Sequence, residues 1–165
     1  MAERQISEAM KLASSLPWAP EIDGVDLVIR NVTGTCFGGD HDTGDNGQTE
    51  SGIPTAGNPG LLGCALPIRS TERATACSPL AFKGPHIPWK TRVKVWREAE
   101  GEETAIELEL VDNGPDVSRY PTHAIDLTPA AALHFAPGFD LRKIANSWSS
   151  AGMSYRIIGG ARFAS

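Results

Sequence analysis

Apolar and polar positions alternate most clearly between residues 91 and 111. Thr91-Arg-Val-Lys-Val-Trp-Arg and Thr104-Ala-Ile-Glu-Leu-Glu-Leu-Val flank the acidic segment Glu98-Ala-Glu-Gly-Glu-Glu, a pattern that predicts a β-hairpin. Ile106, Leu108 and Leu110 would share one face of the second strand and Glu107 and Glu109 the other, within reach of Arg92, Lys94 or Arg97 on the partner strand. A charge-paired, solvated sheet face is the expected role of those glutamates. Residues 25–37 are rich in β-branched side chains and predict the strand that starts a barrel, with Gly34 as a bulge. Residues 64–68 are a short strand candidate that Pro67 confines to an edge or a bulge, and residues 154–163 read as a final strand.

Helical periodicity is sparse. Ile6, Met10, Leu12 and Ala13 fall near one side of a helix over residues 6–16, with Ser7 to cap it and Pro17 beyond its end. Such an amphipathic helix packs on the barrel or docks a protein partner. Thr128-Pro129 supplies an N-cap and a first-position proline for a short helix ending at Pro137-Gly138, and a further helical turn is expected near residues 141–148. Residues 38–63 are dense in Gly, Asp, Asn, Thr, Ser and Pro and predict a long loop, and residues 69–89 are again loop-like. Loops of that length in a compact domain tend to carry function. The expected organisation is an N-terminal helix and linker over residues 1–24, then one mainly β domain over residues 25–165, a six-stranded barrel with short helices.

Composition narrows the function classes. A chain of 165 residues can bury a core without disulfides or metals to hold it, and 17 Gly with 12 Pro favour turns between strands. A net charge of −5 without a Lys/Arg cluster argues against a duplex nucleic-acid binder. No apolar run approaches the roughly 20 residues of a membrane-spanning helix. The N-terminus lacks the basic-then-apolar order of a secretory signal, so export by another route, or a leader outside the chain, is expected. Cys36, Cys64 and Cys77 allow at most one internal bridge, with Cys64–Cys77 favoured and three reduced thiols as the alternative.

Val111-Asp-Asn-Gly-Pro followed by Ala124-Ile-Asp-Leu-Thr-Pro-Ala-Ala-Ala resembles the signature of the rare lipoprotein A family, Asp-Arg-Gly-Pro and then Ile-Asp-Leu-Ser-x-Ala-Ala-Ala. The likeness covers roughly residues 33–163 and is specific over residues 112–132. Expansins, barwin-like proteins and related glycosidases share that architecture, and their His-Phe-Asp motif is loosely similar to His123-Ala-Ile-Asp126. The resemblance implies a double-psi β-barrel, a cell-wall polysaccharide partner, with peptidoglycan glycan foremost, and lytic transglycosylase chemistry. It also implies an extracellular, wall-associated or phage-particle location. The family's glutamate in an Asn-Gly-Glu turn and its histidine after an Ala-Ala pair have no counterpart here: the nearest segments read Ser51-Gly-Ile53 and Cys64-Ala-Leu66, with Glu50 and His123 as neighbouring candidates.

The candidate chemistry is a carboxylate pair, Asp112 and Asp126. Asp112 precedes an Asn-Gly-Pro turn, whereas Asp126 stands two residues before a helix N-cap, where backbone N–H groups and the helix dipole would lower its pKa. Asp112 is therefore the expected proton-transfer group and Asp126 its electrostatic support, since glycoside cleavage needs one acid and one stabilising carboxylate. Local roles in the turn and the helix cap are the alternative for both. Asp40, His41, Asp42 and Asp45 offer enough oxygen for a hard cation, but Asx turns and sugar contacts are the expected use, with no metal or cofactor. His123, Trp89, Tyr120, Asp45 and Asn46 complete the expected glycan-binding set, the two loop aromatics as platforms. The alternative to an enzyme is a non-catalytic polysaccharide-binding or structural barrel of a secreted or phage-particle assembly.

Overall fold

The computed structural model describes residue 11, residues 14–67 and residues 87–163. Among them the β-rich segments form β1 (Glu21–Asp23), β2 (Asp26–Cys36), β3 (Gly63–Leu66), β4 (Arg92–Arg97), β5 (Ile106–Asn113), β6 (His123–Leu127) and β7 (Ser149–Ile157). Six close into a barrel in the order β2-β6-β3-β5-β4-β7, with β7 returning to β2, while β1 hangs on β2 as an antiparallel hairpin. The pairs β2/β6 and β3/β5 run parallel and the other barrel pairs antiparallel. Closure leaves no open edge among these six strands.

Alternation puts Leu27, Ile29, Val93, Val95, Leu108, Leu110, Ile125, Leu127, Tyr155 and Ile157 in one buried core. At the expected hairpin Arg92 lies opposite Glu109 and Lys94 opposite Glu107, and Arg92 Nη1 reaches Glu107 Oε2 at 3.7 Å, so the glutamates do line a solvated, charged face. β2 shifts register between Thr33 and Gly34, as expected of a bulge, and a β-carbon at Gly34 would meet Met153 Cγ at 3.2 Å. Residues 38–62 form the long loop, and two short helices, α1 (Pro129–Phe135) and α2 (Ile144–Ser147), pack beside it.

Four expectations are corrected. β3 is not an edge strand: it pairs with β5 and β6 on its two sides and ends at Leu66, before Pro67 can interrupt a ladder. β7 starts at Ser149, five residues before the apolar run, because its polar first half pairs with Gly34 and Thr35 outside the core. Cys64 is a buried free thiol, turned into the core with Cys36, so the favoured Cys64–Cys77 bridge is not made; Cys77 itself lies outside the described residues, as does His86. Thr128 occupies the α1 N-cap position but makes no side-chain cap bond. Its hydroxyl instead donates to the Leu61 carbonyl at 2.5 Å and accepts the Gly63 N–H at 3.1 Å, tying the end of the long loop to β3. The apolar residues of the expected N-terminal helix, Ile6, Met10, Leu12 and Ala13, lie outside the described residues, whereas Lys11, Ser14 and Ser15 of the same stretch are helical.

Thr128 is 1% exposed, so Thr128→Val keeps the shape and leaves both backbone groups without their partner. The substitution is expected to cost about 1–3 kcal/mol in urea denaturation, and Thr128→Ser less than half of that.

Candidate active site

β3 lies between β5 and β6, and its Ala65 is in register with Asp112 on one side and Asp126 on the other. Thr35 of β2 is in register with Asp126 across the next ladder. Thr35, Asp126, Ala65 and Asp112 therefore make one row across four neighbouring strands. Two strand spacings put the aspartate α-carbons roughly 10 Å apart.

Simple alternation would not bring Asp112 to this row. Leu108 and Leu110 point into the core, and Asp112 would follow them inward. The register instead passes from Cys64 opposite Leu110 to Ala65 opposite Asp112, which makes Val111 an extra residue. A bulge of this kind re-aims the side chains beyond it. Val111 packs with Phe37, Ala65 and Ile53 in a small cluster apart from the barrel core, and Asp112 is half-buried beside it. The loop closes over the bulge: Ser51 N–H donates to the Val111 carbonyl at 3.2 Å, and Glu50 N–H donates to Asp112 Oδ1 at 3.2 Å. Asn113 N–H donates to the same oxygen at 2.9 Å.

Asp126 Oδ1 accepts a short hydrogen bond from the Thr35 hydroxyl. Its Oδ2 lies 4.0 Å from where a β-carbon at Gly114 would stand, so the glycine of the turn, at φ +136°, brings no side chain of its own against that oxygen. Burial pushes the Asp126 carboxyl up from 3.8 to about 6; the Thr35 bond opposes the shift, and the charges of Asp112, Asp42 and Asp45 add to it. Asp112 is also raised, by burial first, against the pull of the Asn113 and Glu50 N–H groups and with the charges of Glu50 and Asp45 adding to it. The expected lowering at Asp126 is thus overturned: burial and not the helix end dominates there, and its carboxyl keeps a proton up to about pH 6. Beneath the row, burial together with Asp126 and Asp42 pushes the Cys36 thiol up to about 12, and burial with Asp126 raises Cys64 further, so neither is a thiolate nucleophile.

The remaining candidates separate. Asp45 is near enough to act on both carboxyls, while its Oδ1 accepts the Gly47 N–H at 2.6 Å. Asn46 spends its Oδ1 on the Gln48 N–H at 3.0 Å, and Asp42 accepts from Gly38 and Gly44 at 2.7 and 2.9 Å. These are the Asx turns expected of the loop, and among the described residues no three His, Cys, Asp or Glu side chains converge as a metal's ligand set. Tyr120 stacks on His123 with ring centroids 5.2 Å apart, and the Arg119 guanidinium sits 5.4 Å from the Tyr120 ring. That stack stands at the start of β6, three residues from Asp126, or about 10 Å of strand. Trp89 is packed partly against the core rather than standing free as a platform. Asp42 and Glu50 join the carboxylates across the loop; no sequence spacing marked Asp42 for that role, and Glu50 was marked only by lying beside a family turn.

No protein-family model matches the chain, and no curated protein matches it.

A raised carboxyl makes folding favour the protonated state. The contribution is complete below the unfolded pKa near 4 and is lost as the pH rises through about 6. Wild type is therefore expected to lose stability relative to Asp126→Asn between pH 4 and pH 7, by about 3 kcal/mol at most, read from paired urea titrations at the two pH values.

Proposed function

We propose that this chain is a double-psi β-barrel that binds cell-wall glycan, peptidoglycan foremost, and cleaves it by acid/base chemistry at Asp126 and Asp112. The observation that carries the reading is the row itself: two half-buried carboxyls flanking Ala65 on one barrel face, with unequal shifts in pKa. Two carboxyl groups whose environments pull their titrations apart are what glycoside cleavage requires. The resemblance to the rare lipoprotein A family over residues 112–132 supports the same partner and a location outside the cytoplasm, at the wall or in a phage particle.

The roles follow from the electrostatics. Protonated Asp126 donates to the bridging oxygen while the bond from that oxygen to the anomeric carbon breaks. Asp112, held by two backbone N–H groups, faces the positive charge that develops on the sugar. A hydroxyl of the same sugar then closes on the anomeric carbon and returns its proton to Asp126, so the cycle needs no water and no net proton. Thr35 fixes the Asp126 carboxyl through its short hydrogen bond.

Purified protein is expected to release soluble, non-reducing muropeptides from peptidoglycan sacculi. The rate should fall as the pH rises above about 6, where Asp126 loses its proton. Asp126→Asn and Asp112→Asn are each expected to lower the rate by roughly 100-fold or more. Wild-type protein that pellets with sacculi and releases nothing at any pH would leave the binding barrel and remove the chemistry.

A further inference from the structure

The register between β2 and β6 ties the aromatic stack to the carboxylate row. Thr33 lies opposite His123 but Gly34 opposite Ile125, so Ala124 is an extra residue in β6, as Val111 is in β5. Val32 and Cys36 belong to the core, which turns Thr33 and Thr35 outward. Their partners, His123 and Asp126, therefore share the outer face two residues of β2 apart, or about 7 Å. The segment before β6 is fastened by its carbonyls: Thr122 accepts the Thr33 N–H at 2.8 Å, and Pro121 accepts the Trp18 indole N–H at 2.9 Å. From this backbone the exposed Arg119 reaches over the Tyr120 ring, and its guanidinium makes no hydrogen bond or ion pair with a described residue. Asp116, three residues before it, spends its carboxylate on the Ser118 N–H and hydroxyl at 3.0 and 2.5 Å. Arg30, Arg92, Arg97 and Arg156 on the barrel strands each face a carboxylate instead.

We infer that Arg119 is an anion subsite beside the carboxylate row, taking a carboxylate or phosphate borne by a sugar next to the one held at Asp126. The inference rests on the glycan reading given above and names the group by which the polymer is selected. An oxyanion laid over the row itself meets the like charges of Asp112, Asp42, Asp45 and Glu50. Moved past His123, it meets a cation whose N–H donors are unspent among the described residues. The planar guanidinium fork matches either oxyanion with paired N–H bonds, where an ammonium offers only a point charge. Contact with the Tyr120 ring restricts the long side chain, so less ordering remains to be done on binding. Repulsion over the row and attraction beyond it put the acidic sugar beside the bond to be cut and a neutral one across it. A neutral glucan has no group for Arg119.

The experiment is a pull-down of the full chain with teichoic-acid-bearing sacculi in three forms: native, with carboxyls converted to amides, and with phosphates removed by hydrofluoric acid. It is run in low salt at pH 8, above the range in which Asp126 keeps its proton, so that binding is read without cleavage. A chain of net charge −5 should gain from any loss of anions on the polymer, so weaker binding to a treated form points to a local cation. Affinity for native sacculi is expected to fall about fivefold in Arg119→Gln and by less in Arg119→Lys. Both variants alter an exposed side chain and should keep the fold. On the form that lacks the recognised anion, wild type is expected to bind no better than Arg119→Gln, and that form tells carboxylate from phosphate. Wild-type affinity in Arg119→Gln, or an undiminished loss on both treated forms, would overturn the subsite and leave the wall-glycan reading standing. Wild type that pellets with none of the three removes both.

Discussion

The site depends on one geometric constraint: a carboxylate at the end of a core strand has to be kept out of a closed barrel. In β5 the inward positions run through Leu108 and Leu110. Continued alternation would turn Asp112 into the same apolar space, where an ionised carboxylate costs several kcal/mol or gives up its charge. The extra residue Val111 breaks the alternation at that point. Two consequences follow from the one insertion. Asp112 joins Ala65 and Asp126 on the outer row, and the Val111 carbonyl, out of the ladder, is taken up by Ser51 of the long loop. The loop is thereby docked on the barrel where the carboxylates emerge.

Charge is segregated between the two sides of the barrel. On the face formed by β1, β2, β4 and β7, Arg156 contacts Asp23, Asp26 and Glu102, while Arg30 contacts Glu98 and Glu21. These pairs hold Glu98 and Glu102 below the usual carboxylate range, through Ser154 and Arg156 respectively as the first cause. The Asp112–Asp126 face has the opposite character. Among the described residues the charges that move those two carboxyls are negative: Glu50 and Asp45 act on Asp112, and Asp112, Asp42 and Asp45 act on Asp126. A cluster of acids with no cation beside it among the described residues resists full ionisation, so one member keeps a proton at mildly acidic pH. Asp126 is the member that burial selects.

Much of the barrel was legible because its strands carry the period that a half-buried sheet requires. The β4–β5 hairpin and β2 follow from alternation and β-branching, and α1 from Thr128-Pro129. The start of β7 was hidden because Ser149 and Ser150 pair with Thr35 and Gly34 outside the core and, with Ala151 and Gly152 after them, need no apolar side chains. The pairing of Asp112 with Asp126 could be guessed only from a resemblance, as register between strands leaves no mark in the sequence. One local signal was available and unused: Leu110 and Val111 are adjacent apolar residues at the end of a strict alternation, which is how a bulge reads before its structure is known. The shift at Asp126 was misjudged for a different reason. A helix of seven residues whose N-cap hydroxyl is committed to Leu61 and Gly63 offers little to a carboxylate already buried among strands.

The long loop works as a wall with two sides. Asp42, Asp45 and Glu50 act on the carboxylate row, while Asp40, His41, Thr55 and Asn58 line a cavity against α1 and α2. A segment with so few apolar anchors holds this position through polar bonds to itself and to the scaffold. Asn146 of α2 accepts from the Thr43 N–H and hydroxyl, both at 3.1 Å, and donates to the His41 carbonyl at 2.8 Å. Thr55 and Ala56 N–H groups both donate to the Gly47 carbonyl, which pins the two limbs together. Asp40, Asp42 and Asp45 each accept backbone N–H groups of the same loop, so their carboxylates fasten it to itself. A polymer laid along such a wall would not have to freeze it, so more of the contact energy remains as affinity.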